Sequence, residues 1–179
     1  MQRCFWCNLK NPLYVQYHDE EWGKPQLDDA HLFEMLLLES FQAGLSWECV
    51  LNKRENFRRA FDHFDAAAIA DYDDVKLETL RNDAGIIRNR LKLKAAVTNA
   101  KIFLSIQAEY GCFLNYLKQY WDGNTIYDSV STTSSLSDAI SADLCKRGMK
   151  FMGSTIVQSF LQAVGIINAH DKNCSRFPG

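Results

Sequence analysis

With 179 residues, 47% hydrophobic and 23% charged, the chain is too apolar to be disordered and long enough to bury a real core. Only 9 Gly and 3 Pro argue against a many-turned sandwich or barrel, and the longest apolar runs, such as Met35–Leu38, are far too short to span a bilayer. A formal charge of −2, from 20 Lys+Arg against 22 Asp+Glu, leaves any polyanion-binding role to local clustering. Residues 1–27 show no sustained helical period and are rich in aromatics, with Trp6, Tyr14, Tyr17 and Trp22. They carry neither the apolar stretch nor the small-residue cleavage site of a signal peptide, so a cytoplasmic location is expected. There, six cysteines are thiols or metal ligands rather than disulfides.

From Asp28 the pattern turns helical. Asp28 or Asp29 can cap a helix carrying Leu32, Phe33, Leu36 and Leu37 to about Ser40, ahead of the turn Gln42-Ala43-Gly44-Leu45. Ser46 can cap the next, with Val50, Phe57, Phe61 and Phe64 on its buried side. Asp65 opens a short Ala-rich helix, and Asp73 opens one carrying Val75, Leu77 and Leu80. After a tight turn over 82–87, a long basic helix is predicted to about Tyr110, broken by Gly111. Another carries Phe113 to Tyr120. Beyond the polar stretch 122–137, Ser137 can cap a helix ending at Gly148, and a last one runs from about Ser154 to Ile167. No alternating strand and no internal repeat emerges. The expectation is an all-α single unit over 1–179, with a helical body at 28–167 and terminal segments at 1–27 and 168–179.

Basic residues form two clusters, Lys53-Arg54 with Arg58-Arg59, and Arg81, Arg88, Arg90, Lys92, Lys94 and Lys101. Either is equally a solvated helix face or one side of a DNA-binding surface. The segment Leu80–Lys92 predicts two helices joined at a glycine. Gly85 would permit positive φ and close approach of a phosphate, the opening amides of the second helix would attract that anion, and Arg88, Arg90 and Lys92 would add charge. An ordinary helical hairpin fits the same pattern.

Chemistry-bearing residues also gather at the chain ends. Cys4, His18, His170 and Cys174 make up a Cys2His2 set, the composition of a closed structural zinc site that would pin the termini together. The same four can be unrelated core and surface residues, and Cys4-x-x-Cys7 is itself a ligand spacing. Glu39 stands on an otherwise apolar helix, where a buried carboxylate needs a partner. With Trp47 it offers a hydrogen-bond acceptor beside a stacking surface, as an extruded nucleobase requires, although a cap and a core aromatic read as well.

Several stretches are long and unusual: Arg3-Cys4-x-Trp6, Pro12 to Gly23, Leu32-Phe33-Glu34, Phe41 to Trp47, Lys53-Arg54-Glu55, Gly85 to Arg90 and Lys146-Arg147-Gly148. In these the chain resembles the DNA-3-methyladenine glycosylase I family of the helix-hairpin-helix glycosylases, from Arg3 to Cys174. The resemblance implies that fold, with one structural zinc on Cys4, His18, His170 and Cys174. It implies a base pocket of Glu39, Trp47, Tyr14, Tyr17 and Trp6, Gly44-Leu45 as the wedge entering the gap left by a flipped nucleotide, and DNA contacts at Gly85, Arg88, Arg90 and Lys92. The implied reaction is hydrolysis of the N-glycosidic bond of 3-methyladenine in duplex DNA by a monomer, with free base as product and Glu39 as the candidate for assisting water. The chain departs from the family pattern at Cys7, at Ser40 where a glycine is common, at Gly153-Ser154-Thr155 and at Gln158. The superfamily's usual catalytic aspartate has no candidate beyond the hairpin. A zinc hydrolase with an open metal site, or a lesion-binding module that releases no base, are the other classes to separate.

Overall fold

The computed structural model describes residues 2–177; Met1, Pro178 and Gly179, assigned above to the terminal segments, lie outside the described residues. Among the described residues, ten α-helices pack around one apolar core. At its centre lies α2 (Asp29–Gln42), on which every residue from Leu32 to Phe41 except Glu34 is buried. A helix apolar on all sides belongs inside, and Glu39 is the one ionisable group taken in with it. Asp28 is the cap, its carboxylate accepting from the His31 amide.

The aspartate starts hold elsewhere. Asp65 caps α5 (Ala66–Ala70) and Asp73 caps α6 (Asp74–Asn82). The helix expected from Ser46 to Phe64 is in fact α3 (Trp47–Leu51), capped by Ser46, then α4 (Arg54–Ala60) and a left-handed turn at Asp62–Phe64. The long basic helix is α7 (Arg90–Tyr110), ending at Gly111 with φ +83°, followed by a short α8 (Phe113–Leu117). Ser134 rather than Ser137 caps α9 (Ser135–Arg147); Ser137 sits three residues in and bonds back to the Ser134 amide, closing a capping box.

Two expectations need correction. Residues 12–20 form α1 (Pro12–Glu20), begun by Asn11 as cap and Pro12 in the first turn. Its Tyr17, His18 and Asp19 are buried in succession, so no helical period marks it. The last helix, α10 (Ser154–Ala163), stops short of Ile167. Ile167–Asn168 instead pairs in parallel with Ile126–Tyr127, a two-residue ladder in an otherwise helical fold. Gly165, at φ +78°, leads the chain out of α10; a Cβ there would fall 2.1 Å from the Lys24 carbonyl carbon, so the N-terminal segment lies directly on this turn.

Candidate functional site

The termini meet at the Cys/His set. The ligand atoms of Cys4, His18, His170 and Cys174 lie within 4.8 Å of one another and all four residues are buried. Cys4 Sγ is 3.4 Å from His170 Nδ1, and Cys174 Sγ is 3.5 Å from His18 Nε2 and 3.6 Å from His170 Nδ1. Tetrahedral Zn–S and Zn–N bonds would give S···N edges of about 3.6 Å. The remaining imidazole nitrogens are engaged as a metal site requires: His18 Nδ1 lies 2.8 Å from Asp19 Oδ1, and His170 Nε2 lies 3.2 Å from the Trp22 carbonyl. Amides of Asp171 and Arg176 donate to the two sulfurs. Burial holds the His170 imidazole neutral, with a pKa lowered to about 4, and pushes the Cys4 thiol up to about 12. The donor set, distances and outer partners fit a metal ion. Cys7 stands apart, its thiol near the Tyr14 carbonyl, so the four-ligand set excludes it.

The same cluster carries an aromatic wall. Trp6 packs 5.3 Å from His18 and edge-on to Trp22 at 4.5 Å, while Trp22 meets His170 at 4.7 Å. Tyr14 lies against Trp6, and Tyr17 against Trp47 at 5.2 Å. Trp6, Tyr14, Tyr17, Trp22 and Trp47, with Glu39, Gln42, Ser159 and Gln162, line an open cavity of about 190 Å³. All five residues expected from the sequence as base contacts are therefore in one place: Glu39, Trp47, Tyr14, Tyr17 and Trp6. Gln42, Trp22, Ser159 and Gln162 were missed as wall residues, although Gln42 lies inside the Phe41–Trp47 stretch already singled out.

Three lining residues hold buried polar atoms without a partner among the described residues: Glu39 Oε2, Gln42 Oε1 and the Trp47 indole nitrogen. Each such atom costs free energy unless a ligand or water meets it. Burial raises the Glu39 carboxyl well above the ordinary range, and Tyr17 likewise stays a phenol. A larger cleft of about 280 Å³ lies beside Tyr17, Glu21 and Arg54, but its charges are largely spent on one another, as in the 2.7 Å Arg54–Glu21 pair. The smaller aromatic cavity has the greater unspent bonding capacity.

The two basic clusters part company. Arg54 is buried and bonds Glu34 and Glu21 at 2.6 and 2.7 Å; burial opposes its charge, yet these carboxylates hold it firmly protonated. Arg58 reaches Glu34 as well, so this cluster is largely internal. Arg88, Arg90 and Lys94 are exposed around the turn 83–89 that joins α6 to α7. Lys92 does not join them. It is 5% exposed, and its ammonium donates to the carbonyls of Phe41 at 2.7 Å and Ala43 at 2.6 Å. Gly85 is not left-handed. A Cβ there would meet Asp83 Oδ1 at 2.9 Å and the Asn56 side chain at 3.2 Å, so the glycine serves close packing onto α4. Two amides opening α7, of Leu91 and Lys92, are already taken by the Asn89 side chain. The turn after α2 places Gly44 at φ +77° and leaves Leu45 exposed.

Fold and site together define a helical protein with an aromatic-walled cavity whose shape and partnerless buried polar atoms suit one flat heterocycle. The family model for methyladenine glycosylase matches residues 6–177, and the chain belongs to that family. It is 44% identical to DNA-3-methyladenine glycosylase 1 of Escherichia coli (strain K12) over 100% of this chain and 98% of that protein. A crystal structure of 3-methyladenine DNA glycosylase I superposes with a TM-score of 0.94 at 42% identity, covering 99% of this chain and 100% of that one. A single-residue variant of such an enzyme, solved in complex with 3-methyladenine, gives 0.93 at 34% identity, covering 100% and 99%.

Proposed function

We propose that the protein is a DNA-repair glycosylase that hydrolyses the N-glycosidic bond of 3-methyladenine in alkylated DNA, releasing the free base and leaving an abasic site. The observation that carries this is the trio of partnerless buried atoms on Glu39, Gln42 and Trp47 in one aromatic-walled cavity. An adenine edge can meet the Glu39 and Gln42 atoms once the nucleotide is flipped out, with the Trp47 ring on its face. Family membership and the relative crystallised with 3-methyladenine support the same substrate.

N3-methylation makes the nucleotide's base cationic and already a good leaving group, so the site needs little acid–base help. Trp47, with Tyr14 and Trp6, stacks on the electron-poor ring. Glu39 accepts from its edge; a cationic ring restores the carboxylate that burial disfavours, in a cavity where their attraction is barely screened. Glu39 is also the candidate for guiding water. Hydrolysis by water, rather than attack by a lysine amine, leaves the strand uncut. Leu45 enters the gap left in the duplex. The α6–α7 hairpin acts as the helix-hairpin-helix unit, with Gly85 in its turn and Arg88 and Arg90 on phosphates, a contact that positions without selecting a base. Lys92 leaves that list, because its ammonium is spent inside the protein.

Cys4, His18, His170 and Cys174 would hold one zinc ion, supplying a cross-link between the termini and no reactive position, since four protein ligands complete its coordination. That separates this reading from a zinc hydrolase. One chain furnishes every group named, so this reading has the protein act as a monomer and calls on no residue of a second copy. No helix among the described residues is long and apolar enough to cross a membrane, and free thiols fit the cytosol. The test is incubation with methylated duplex DNA and chromatographic identification of what is released. Free 3-methyladenine is the expected product. Binding to the lesion without release would instead make the protein a recognition module.

A further inference from the structure

Lys92 presents a problem that the proposed chemistry does not absorb. It belongs to the first turn of α7, the helix that carries exposed Arg90 and Lys94, yet it points into the protein. A lysine is seldom buried without a reason, since its ammonium must find fixed acceptors in place of water. Here it finds two, the carbonyls of Phe41 and Ala43, at the C-terminal end of α2. A cation suits that end of a helix, where the carbonyls lack partners and the dipole is negative.

The two carbonyls flank Gln42, and the turn they begin is short. Gln42 accepts from the Leu45 amide, Gly44 is left-handed, and Leu45 projects into solvent. No side chain contacts the space where a Gly44 Cβ would stand, so packing does not hold the turn from that side. Lys92 does so from the other. Its own position is secured from behind: Phe151 places its ring 5.7 Å from the ammonium by adopting φ +57°, and Asn99 bonds both the amide and the carbonyl of neighbouring Lys150.

We infer that Lys92 is a positioning residue whose ammonium clamps the Phe41 and Ala43 carbonyls, fixing the turn that presents Leu45 and tying it to the DNA-contacting hairpin. The inference rests on Leu45 being the side chain that enters the duplex. On docking through Arg88 and Arg90, the clamp would deliver Leu45 at a set distance from the phosphates. Lys92 touches neither base nor backbone of the DNA.

The test compares wild type with Lys92→Met, Leu45→Ala and the double variant on a methylated oligonucleotide, single-stranded and annealed to its complement. Free 3-methyladenine affinity and melting temperature are read alongside. Lys92→Met should lose about tenfold or more in kcat/KM on the duplex and under about threefold on the single strand, where no stacked partner strand must be opened. Free-base affinity should stay within about twofold, and the double variant should be no slower on duplex than the slower single one, as expected of two residues acting in one unit. Lys92→Gln, which keeps a donor at shorter reach, is measured in parallel, so that a folded protein lacking the double clamp is in hand. Equal losses on both substrates, a parallel fall in free-base affinity, or additive effects with Leu45→Ala would overturn the inference. A wild-type protein that releases no base would fail the glycosylase reading itself, a separate outcome.

Discussion

In the function proposed above, the cavity and the hairpin meet the same nucleic acid by opposite physics. In the cavity the polar atoms are few, buried and without partners, and the rings around them are fixed against a Cys/His cluster. At the hairpin the charges are exposed, and the one lysine that is buried has turned away to bond the protein's own backbone. Desolvated groups discriminate, because a wrong ligand leaves them unpaired; exposed charges attract any polyanion and are screened by salt. Selection and attachment are thereby assigned to different surfaces and can be broken separately.

The most damaging change to the cavity alone should come from its foundation. Chelating the metal, or Cys174→Ser, should cost several kcal/mol, since metal binding is coupled to folding. A drop in melting temperature with zinc content near zero, together with loss of free-base binding, is the expected calorimetric and elemental result. Unchanged melting in a zinc-free preparation would show that no metal holds the termini together.

Next is Glu39→Gln, whose signature is a pair of effects with opposite signs. It should weaken 3-methyladenine binding by about 1.5–3 kcal/mol, the worth of a hydrogen bond to a charged group. It should also stabilise the empty protein near neutral pH. The folded carboxyl titrates well above the unfolded value of about 4.3, so its stabilising contribution is complete below that value. That contribution is lost as pH rises through the folded pKa. Melting curves from pH 5 to 8.5 should therefore fall less steeply for the variant than for wild type. A parallel pair of curves would mean that Glu39 is not buried as described.

Trp47→Ala should cost about 1–3 kcal/mol of base affinity, the scale of base–aromatic stacking, with zinc retained. If it melts early and loses DNA binding as well, the ring is core rather than pocket wall. The smallest effect on selection is expected from Arg88→Glu with Arg90→Glu. Affinity for all duplexes should fall alike, and the slope of log affinity against log salt should shrink by roughly 2, with lesion preference unchanged. A salt series that superposes on wild type would make the hairpin a purely structural element.

Where the sequence was legible, the signals were local. Asp28, Ser46, Asp65 and Asp73 cap the helices they were expected to cap, because capping is decided within a turn. The four metal-ligand candidates and the five expected base contacts each lie together in one place; residue types and spacing left core and surface readings open for both, and the family resemblance singled them out. What the sequence did not disclose depends on neighbours distant in the chain. Helix α1 has contacts on several sides and so no apolar stripe, although Asn11-Pro12 was a readable start. Arg54 and Lys92 look like surface charges until Glu21, Glu34 and the end of α2 are placed beside them. Gly85 was read as permitting positive φ and a phosphate's approach, and only the closeness of Asn56 and Asp83 shows what its missing side chain makes room for.

The order in which a ribosome makes this chain gives the Cys/His cluster another meaning. Cys4 and His170 lie 166 positions apart, so the segment bearing Trp6, Tyr14, Tyr17 and Trp22 is synthesised long before its anchoring ligands exist. On the zinc reading proposed above, the cavity wall is not anchored until His170 and Cys174 have emerged. A chain cut short between the end of α10 and His170 would keep the α6–α7 turn with Arg88 and Arg90 while lacking two of the four clustered residues. Completion of translation thus becomes a condition for base excision.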